Sequence, residues 1–253
     1  MRALLLAAGP GLRLRPLTDH IPKCLVKVRG RPLLDYWLDL LLTGGEVARV
    51  LVNTHHLAEQ VERHIENSKW HHRVDLAYEP ILLGTGGTLY ANRHWLGDGD
   101  SLVAHADNLT DLNVRAFRNA HRSRPSPCIM TMLAFRTDNP TQCGILWRDE
   151  KGILTEFAEK PKHPTSNLAN GAVYMFDRPV ARCGVDEYTA DISMDLLPRM
   201  IGRAFVVDHH GYHRDIGTPQ SLALANHELM AISGRQMRPA AKSANATDTS
   251  SSR

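Results

Sequence analysis

Gly9-Pro10-Gly11 follows a short apolar run, with Arg13, Arg15 and Lys23 soon after. Glycines in such a loop let the backbone come close to a polyphosphate and aim N–H groups at its oxygens. The Arg and Lys side chains would add charge-assisted donors. Taken alone, the stretch reads more readily as a Gly/Pro turn with solvated arginines, since a lone glycine-rich turn is weak evidence. It is not a Walker loop, because no Gly-Lys-Ser/Thr follows. As a dinucleotide fingerprint it lacks the third glycine and has Pro16 where a helix should run. Asp107 closes the apolar run Ser101–Ala106. A carboxylate at the C-terminal end of a parallel strand lies where open α/β sheets bind ligands, so Asp107 is a candidate Mg2+ ligand, with a helix cap as the alternative. Glu79 precedes the glycine-rich stretch that includes Gly84. A carboxylate there could accept from both N1–H and N2–H2 of guanine, whereas uracil or thymine offers one such donor. The histidine pairs at 55–56, 71–72 and 209–210 are expected on the surface, since Mg2+ seldom takes imidazole and no acids accompany them at zinc-ligand spacing.

The elements that would carry these residues alternate in type. Ala3–Ala8, Val50–Val52, Val74–Tyr78 and Ser101–Ala106 read as strands. Leu33–Leu42, Leu57–Ile65, Thr88–Trp95 and Val114–His121 read as helices, with Asp111 capping the last. This alternation predicts an α/β fold, a Rossmann-like three-layer sandwich with a mostly parallel central sheet. Beyond residue 125 the pattern shifts to short strands, Ile129–Phe135, Gly144–Trp147, Ile153–Phe157 and Ala172–Phe176, with a hairpin turn at Asp149–Gly152. Asp191–Met200 is expected as helix, Ala204–Val207 as strand, and Pro219–Ile232 as a last helix capped by Thr218. One domain over 1–232 follows, with a disordered tail over 233–253.

Composition narrows the function classes. A chain of 253 residues with 43% hydrophobic and 23% charged residues is ordinary for a soluble globular protein. A net charge of +3 without a basic block gives no reason to expect nucleic acid. Four cysteines without metal-ligand spacing read as isolated thiols, and neither a signal peptide nor a membrane span is visible, so the cytoplasm is the expected compartment. No internal repeat is visible.

The run AAGPGLRLRPLT at 7–18, continued by IPKCLVKVRGRPLLDYWLDLL at 21–41, resembles the N-terminal signature of the sugar-1-phosphate nucleotidylyltransferases, or sugar-nucleotide pyrophosphorylases. Two residues depart from it: Leu12 stands for the usual Thr and Cys24 for a small residue or proline. EPILLGTGGTL at 79–89, EFAEKP at 156–161, NLANGAVYMF at 167–176 and GYHRDIGTP at 211–219 resemble later elements of the same family. The resemblance implies nucleotide contacts at Ala8, Gly9, Gly11, Glu79 and Gly84, and catalytic roles for Arg13 and Lys23. It also implies Mg2+ at Asp107 and Asp215. Sugar-phosphate contacts would come from Glu159, Lys160, Asn170 and Gly171, within a sugar-binding part spanning roughly 125–215, with Gly171 sparing the sugar ring a side chain.

The implied partners are a nucleoside triphosphate and a sugar 1-phosphate, with no nucleic acid and no membrane. Wording and Glu79 together favour GTP with mannose or manno-heptose 1-phosphate. A uridylyltransferase acting on N-acetylmuramate 1-phosphate or glucose 1-phosphate is the competitor. From another class, a non-catalytic nucleotide-sugar sensor is suggested by Leu12.

Overall fold

The computed structural model describes residues 1–177 and 179–236. Strand β1 (Arg2–Leu6) runs between β4 (Arg49–Thr54) and β6 (Ser101–His105), parallel to both, and β5 (Val74–Tyr78) extends the parallel set beyond β4. Between β1 and β4 lie the small ribbon of β2 (Lys27–Val28) with β3 (Arg31–Pro32) and helix α1 (Leu33–Leu42). Helices α2 (Ala58–Glu66), α3 (Gly84–Ala91) and α4 (Arg93–Leu96) make the next connections.

Side-chain alternation along β1 sorts the helices into two layers. Ala3 and Leu5 face a core with Trp37 and Leu41 of α1, Val61 of α2 and Phe117 of α5 (Val114–Arg122). Leu4 faces the opposite core, with Leu89 of α3, Leu96 of α4 and Leu196. Strands buried on both faces need continuous apolar residues, which is why 3–6 and 102–104 are uninterrupted.

The second half completes a nine-stranded mixed sheet. Strand β7 (Asn108–Thr110) stands apart; β8 (Met130–Arg136), β9 (Gly144–Arg148), β10 (Leu154–Glu159), β11 (Leu168–Phe176) and β12 (Ala204–His209) join the main sheet. Antiparallel pairing of β11 with β6 fuses the two halves, and β12 runs parallel to β8. The turn expected at Asp149–Gly152 joins β9 to β10, with Asp149 Oδ1 accepting from the Lys151 and Ile153 N–H groups. Strand β13 (His213–Asp215) pairs antiparallel with β7, and α6 (Pro219–Gln236) follows, its Thr218 Oγ1 accepting from Ser221 N–H as expected of a cap.

Four expectations are corrected. The helix expected at Thr88 begins at Gly84, because a Cβ on Gly84 or Gly86 would lie 2.5 or 2.6 Å from a backbone oxygen of Ala190 or Thr189, and glycine there admits the contact. The stretch expected as helix over Asp191–Met200 is a π-helical turn at Ile192–Leu196 followed by a 3-10 turn at Leu197–Met200, where Pro198 has no N–H to give. Asp111 is not a cap: Asn113 caps α5, accepting from Ala116 N–H at 3.0 Å, while Asp111 Oδ1 accepts from Tyr212 N–H at 2.8 Å. The terminal helix runs past Ile232 to Gln236, and the remainder of the expected tail, 237–253, lies outside the described residues. Among the described residues no helix is long and apolar enough to cross a membrane.

Candidate active site

Chain segments that are distant in sequence meet at the C-terminal ends of β1, β4 and β6. Gly11 adopts φ +64°, and a Cβ there would sit 2.8 Å from the Thr18 methyl carbon and 3.3 Å from Lys23 Cβ. Only glycine lets the loop curl this tightly over the following turns. Thr18 Oγ1 donates to Gly11 O at 2.8 Å, holding the curl from below. The loop then presents Arg13, whose side chain is 58% exposed, and returns to Lys23, which is nearly buried. Leu12, the departure from the family signature, is 58% exposed on the loop.

Asp107 lies two residues past the end of β6, and its carbonyl accepts from Ile216 N–H at 2.9 Å. The β7–β13 ribbon sets Asp215 opposite Asn108. Both aspartates thereby reach one ammonium: Lys23 Nζ lies 2.5 Å from Asp107 Oδ2 and 3.6 Å from Asp215 Oδ1. Arg13 Nη2 lies 3.3 Å from Asp215 Oδ2. Gly217 belongs to the same packing, because a Cβ on it would lie 2.6 Å from Arg13 Nη2 and 2.8 Å from both Asp215 oxygens. Arg13, Lys23, Asp107 and Asp215 are therefore neighbours, while Arg15 turns aside to an exposed pair with Asp19 at 2.9 Å.

Electrostatics follow from this crowding. Burial pushes the Asp107 carboxyl up, but the charges of Lys23 and His105 and the bond from Lys23 more than offset it, so it stays below the usual carboxylate value. His213, on β13, is pushed down to about 3 by burial and by neighbouring His209, against the opposite pull of Asp107. It is neutral near pH 7 and adds no cation beside the two acids. Two carboxylates converging on one cation suit a hard divalent ion that takes few protein oxygens and fills its shell with water and phosphate. The donor set thus fits Mg2+; no group of three or more His, Cys, Asp or Glu gathers among the described residues, and a two-carboxylate site needs none.

A cleft of about 160 Å³ opens beside these groups, lined by Ala8, Gly9, Lys23, Gly84, Thr85 and Asp107 among others. Glu79 does not line it. This residue, expected to read the base, is 3% exposed, and its carboxyl group accepts from Asn53 Nδ2 at 2.9 Å, Thr88 Oγ1 at 2.5 Å and Leu83 N–H at 3.1 Å. Three donors of the protein thus occupy most of the carboxylate's acceptor positions where guanine pairing was expected. Ala8 N–H is likewise engaged, 3.3 Å from Asn53 Oδ1.

The four residues expected to hold the sugar phosphate lie outside this cleft lining. Lys160 Nζ is 3.5 Å from Glu159 Oε1 and 57% exposed. The two come close to the acidic pair nonetheless: at Cys143, whose thiol is pushed up mainly by burial, the charges of Asp215, Glu159 and Lys160 are all felt. Asn170 donates to Tyr174 Oη at 2.7 Å and accepts from Ala172 N–H at 3.0 Å, within an irregular stretch of β11. A Cβ on Gly171 would meet Leu133 O at 3.1 Å, so the neighbouring strand by itself favours a residue without a side chain there.

Residue-type reasoning missed several side chains. Asn53, inside an apolar strand, had no motif to flag it. Asp191 accepts from Thr85 Oγ1 at 2.9 Å and from the Ser193 and Met194 N–H groups, tying α3 to the π-helical turn. The histidine pairs divide: His71, His72 and His210 are exposed, but His55, His56 and His209 are half-buried, with His209 Nε2 2.9 Å from Asp111 Oδ1.

Residues 2–231 match the family described as Nucleotidyl transferase. The chain is 29% identical over 225 residues to the mannose-1-phosphate guanylyltransferase catalytic subunit beta of Drosophila pseudoobscura pseudoobscura, covering 87% of this chain and 60% of that one. Its counterpart from Danio rerio is 27% identical over 227 residues, covering 87% and 62%. The chain thus spans about three-fifths of the length of the curated relatives it matches. Among solved structures, HddC from Yersinia pseudotuberculosis superposes with a TM-score of 0.74 at 22% identity, covering 90% of this chain and 99% of that one. A second HddC structure, complexed with GMP-PN, gives 0.72 at 21% identity, covering 90% and 99%.

Proposed function

Since the chain belongs to the nucleotidyl transferase family, we propose that it joins a nucleoside triphosphate to a sugar 1-phosphate, releasing pyrophosphate, with GTP and a mannose- or manno-heptose-type sugar as the preferred pair. The observation that carries the reading is the meeting of Asp107 and Asp215 on Lys23 Nζ, at 2.5 and 3.6 Å, where parallel strands end. The names of the relatives favour guanylyl transfer and mannose 1-phosphate.

In the reaction, an oxygen of the sugar 1-phosphate forms a bond to the α-phosphorus while the α–β anhydride breaks and its electron pair leaves with pyrophosphate. A phosphate monoester is already ionised at neutral pH, so no general base is required. The obstacle is two anions approaching each other. Lys23 and Arg13 offset that charge and the charge growing on the leaving group. Lys160 orients the attacking phosphate. Asp107 and Asp215 would hold Mg2+, which supplies Lewis-acid neutralisation of phosphate oxygens.

Pyrophosphate release, measured with four nucleoside triphosphates against a panel of sugar 1-phosphates, tests the proposal. The expected result is turnover fastest with GTP and a manno-configured sugar. Turnover fastest with UTP and N-acetylmuramate or glucose 1-phosphate overturns the substrate assignment alone. Tight nucleotide binding in Mg2+ without turnover on any pair overturns catalysis and leaves a sensor, the reading that the exposed Leu12 would favour.

A further inference from the structure

Asn53 sits on β4 at 3% exposure, and its one amide joins two parts of the cleft. Its Oδ1 accepts from Ala7 N–H at 2.6 Å and from Ala8 N–H at 3.3 Å, the peptides that leave β1 for the glycine loop. Its Nδ2 donates to Glu79 Oε1 at 2.9 Å and to Thr88 Oγ1 at 3.2 Å. The Thr88 hydroxyl donates in turn to Glu79 Oε1, and the other carboxyl oxygen accepts from Leu83 N–H at the cleft's lip. The amide's orientation is forced, since reversing it would turn an NH2 group toward two N–H donors and an oxygen toward a carboxyl group.

We propose that Asn53 is a positioning residue that fixes the start of the glycine loop for the triphosphate, and that Glu79 and Thr88 act through it rather than by touching the base. The proposal rests on the nucleotide reading of the site given above. Loss of the acceptor leaves one half-buried and one buried N–H group unanswered, and the loop that begins there shifts. That consequence falls on the phosphates, which every nucleotide carries, and not on the base. It also gives Glu79 a reason to be acidic that is unrelated to guanine: one carboxyl group answers three inward donors.

Equilibrium binding separates base reading from loop positioning. Wild-type protein, Asn53→Ala and Glu79→Gln are titrated, with Mg2+ present, against inorganic tripolyphosphate, GTP, UTP, dTTP and ATP. Both variants are expected to bind tripolyphosphate about tenfold more weakly. All four nucleotides should weaken by a similar factor, leaving the GTP-to-UTP ratio within about twofold of wild type. Unchanged tripolyphosphate affinity with a collapsed GTP-to-UTP ratio overturns the proposal and returns Glu79 to the base. Lower melting temperatures with wild-type tripolyphosphate affinity in the folded protein overturn it too, leaving a purely structural role. If either variant does not fold, Thr88→Val, which deletes one hydroxyl at nearly constant volume, is read by the same titrations. Wild-type protein that binds none of the five ligands overturns the nucleotide site and this proposal together; the preceding results overturn this proposal alone.

Discussion

Arg13 and Lys23 share Asp215 as a partner under opposite conditions of exposure, and that difference separates their effects on folding and on activity. The Arg13 side chain is 58% exposed and 3.3 Å from its partner, so solvent screens most of the attraction. Arg13→Ala is expected to move unfolding free energy by no more than about 0.5 kcal/mol. It should nonetheless lower kcat/KM by roughly 100- to 1,000-fold, the scale of losing one donor to developing charge. The Lys23 side chain is 11% exposed between two acids. Lys23→Met leaves those carboxylates facing each other, and should therefore cost both activity and stability, the latter by about 3 kcal/mol. Urea denaturation beside steady-state kinetics checks the pair. Equal stability losses in the two variants would mean that exposure does not govern these ion pairs.

At the scale of elements, the position of Asp215 depends on a ribbon and a helix. Strand β13 is held to β7 on one side, and on the other Arg214 makes a two-pronged pair with Glu228 of α6, at 2.8 Å from Nε and 2.6 Å from Nη2. Tyr212 Oη donates to the same Glu228 at 2.9 Å. Glu228→Ala should destabilise the fold by about 2 kcal/mol through the loss of hydrogen bonds to a charged group. It should also lower kcat/KM by about a hundredfold, because Asp215 loses its support and small displacements near reacting groups are that costly. A variant as active as wild type but less stable would show that β7 alone fixes Asp215. Such supports are hard to read from a sequence. The strand–helix alternation of 1–122 was legible because apolar runs and helical periodicity are local. Arg13, Lys23, Asp107 and Asp215 were legible because spaced motifs carry them. The partners of Arg214, Asn53, Asp111 and Glu79 were not, since each depends on which segment folds against which. Gly171 shows the same limit: its type was noticed, but only the fold brings Leu133 against it.

Across the whole molecule, the two cores and the sheet between them must stay locked for these distant segments to meet, and one buried histidine makes that lock sensitive to acid. His121 of α5 is fully buried and reaches across to Thr131 of β8, with its Nδ1 2.8 Å from the hydroxyl. Burial, helped by the charge of Arg124, lowers its pKa from 6.5 to about 4. The unfolded chain binds a proton near pH 6.5 that the native state refuses until about pH 4, so unfolding is favoured as pH falls through this window. The contribution is complete above pH 6.5, shrinks steadily below it, and changes no further once both states are protonated. A shift of this size corresponds to about 3 kcal/mol lost between the two ends. Denaturant titrations of wild type and His121→Leu at half-unit pH steps isolate it, because the slope with pH, rather than the absolute stability, belongs to the imidazole. The variant is expected to be less stable at pH 7.5, through the Thr131 hydroxyl it leaves unanswered, yet to decline less between pH 6.5 and 4. Parallel slopes in the two proteins would mean that His121 takes up its proton without opening the α5–β8 contact, and that acid sensitivity of the fold resides elsewhere.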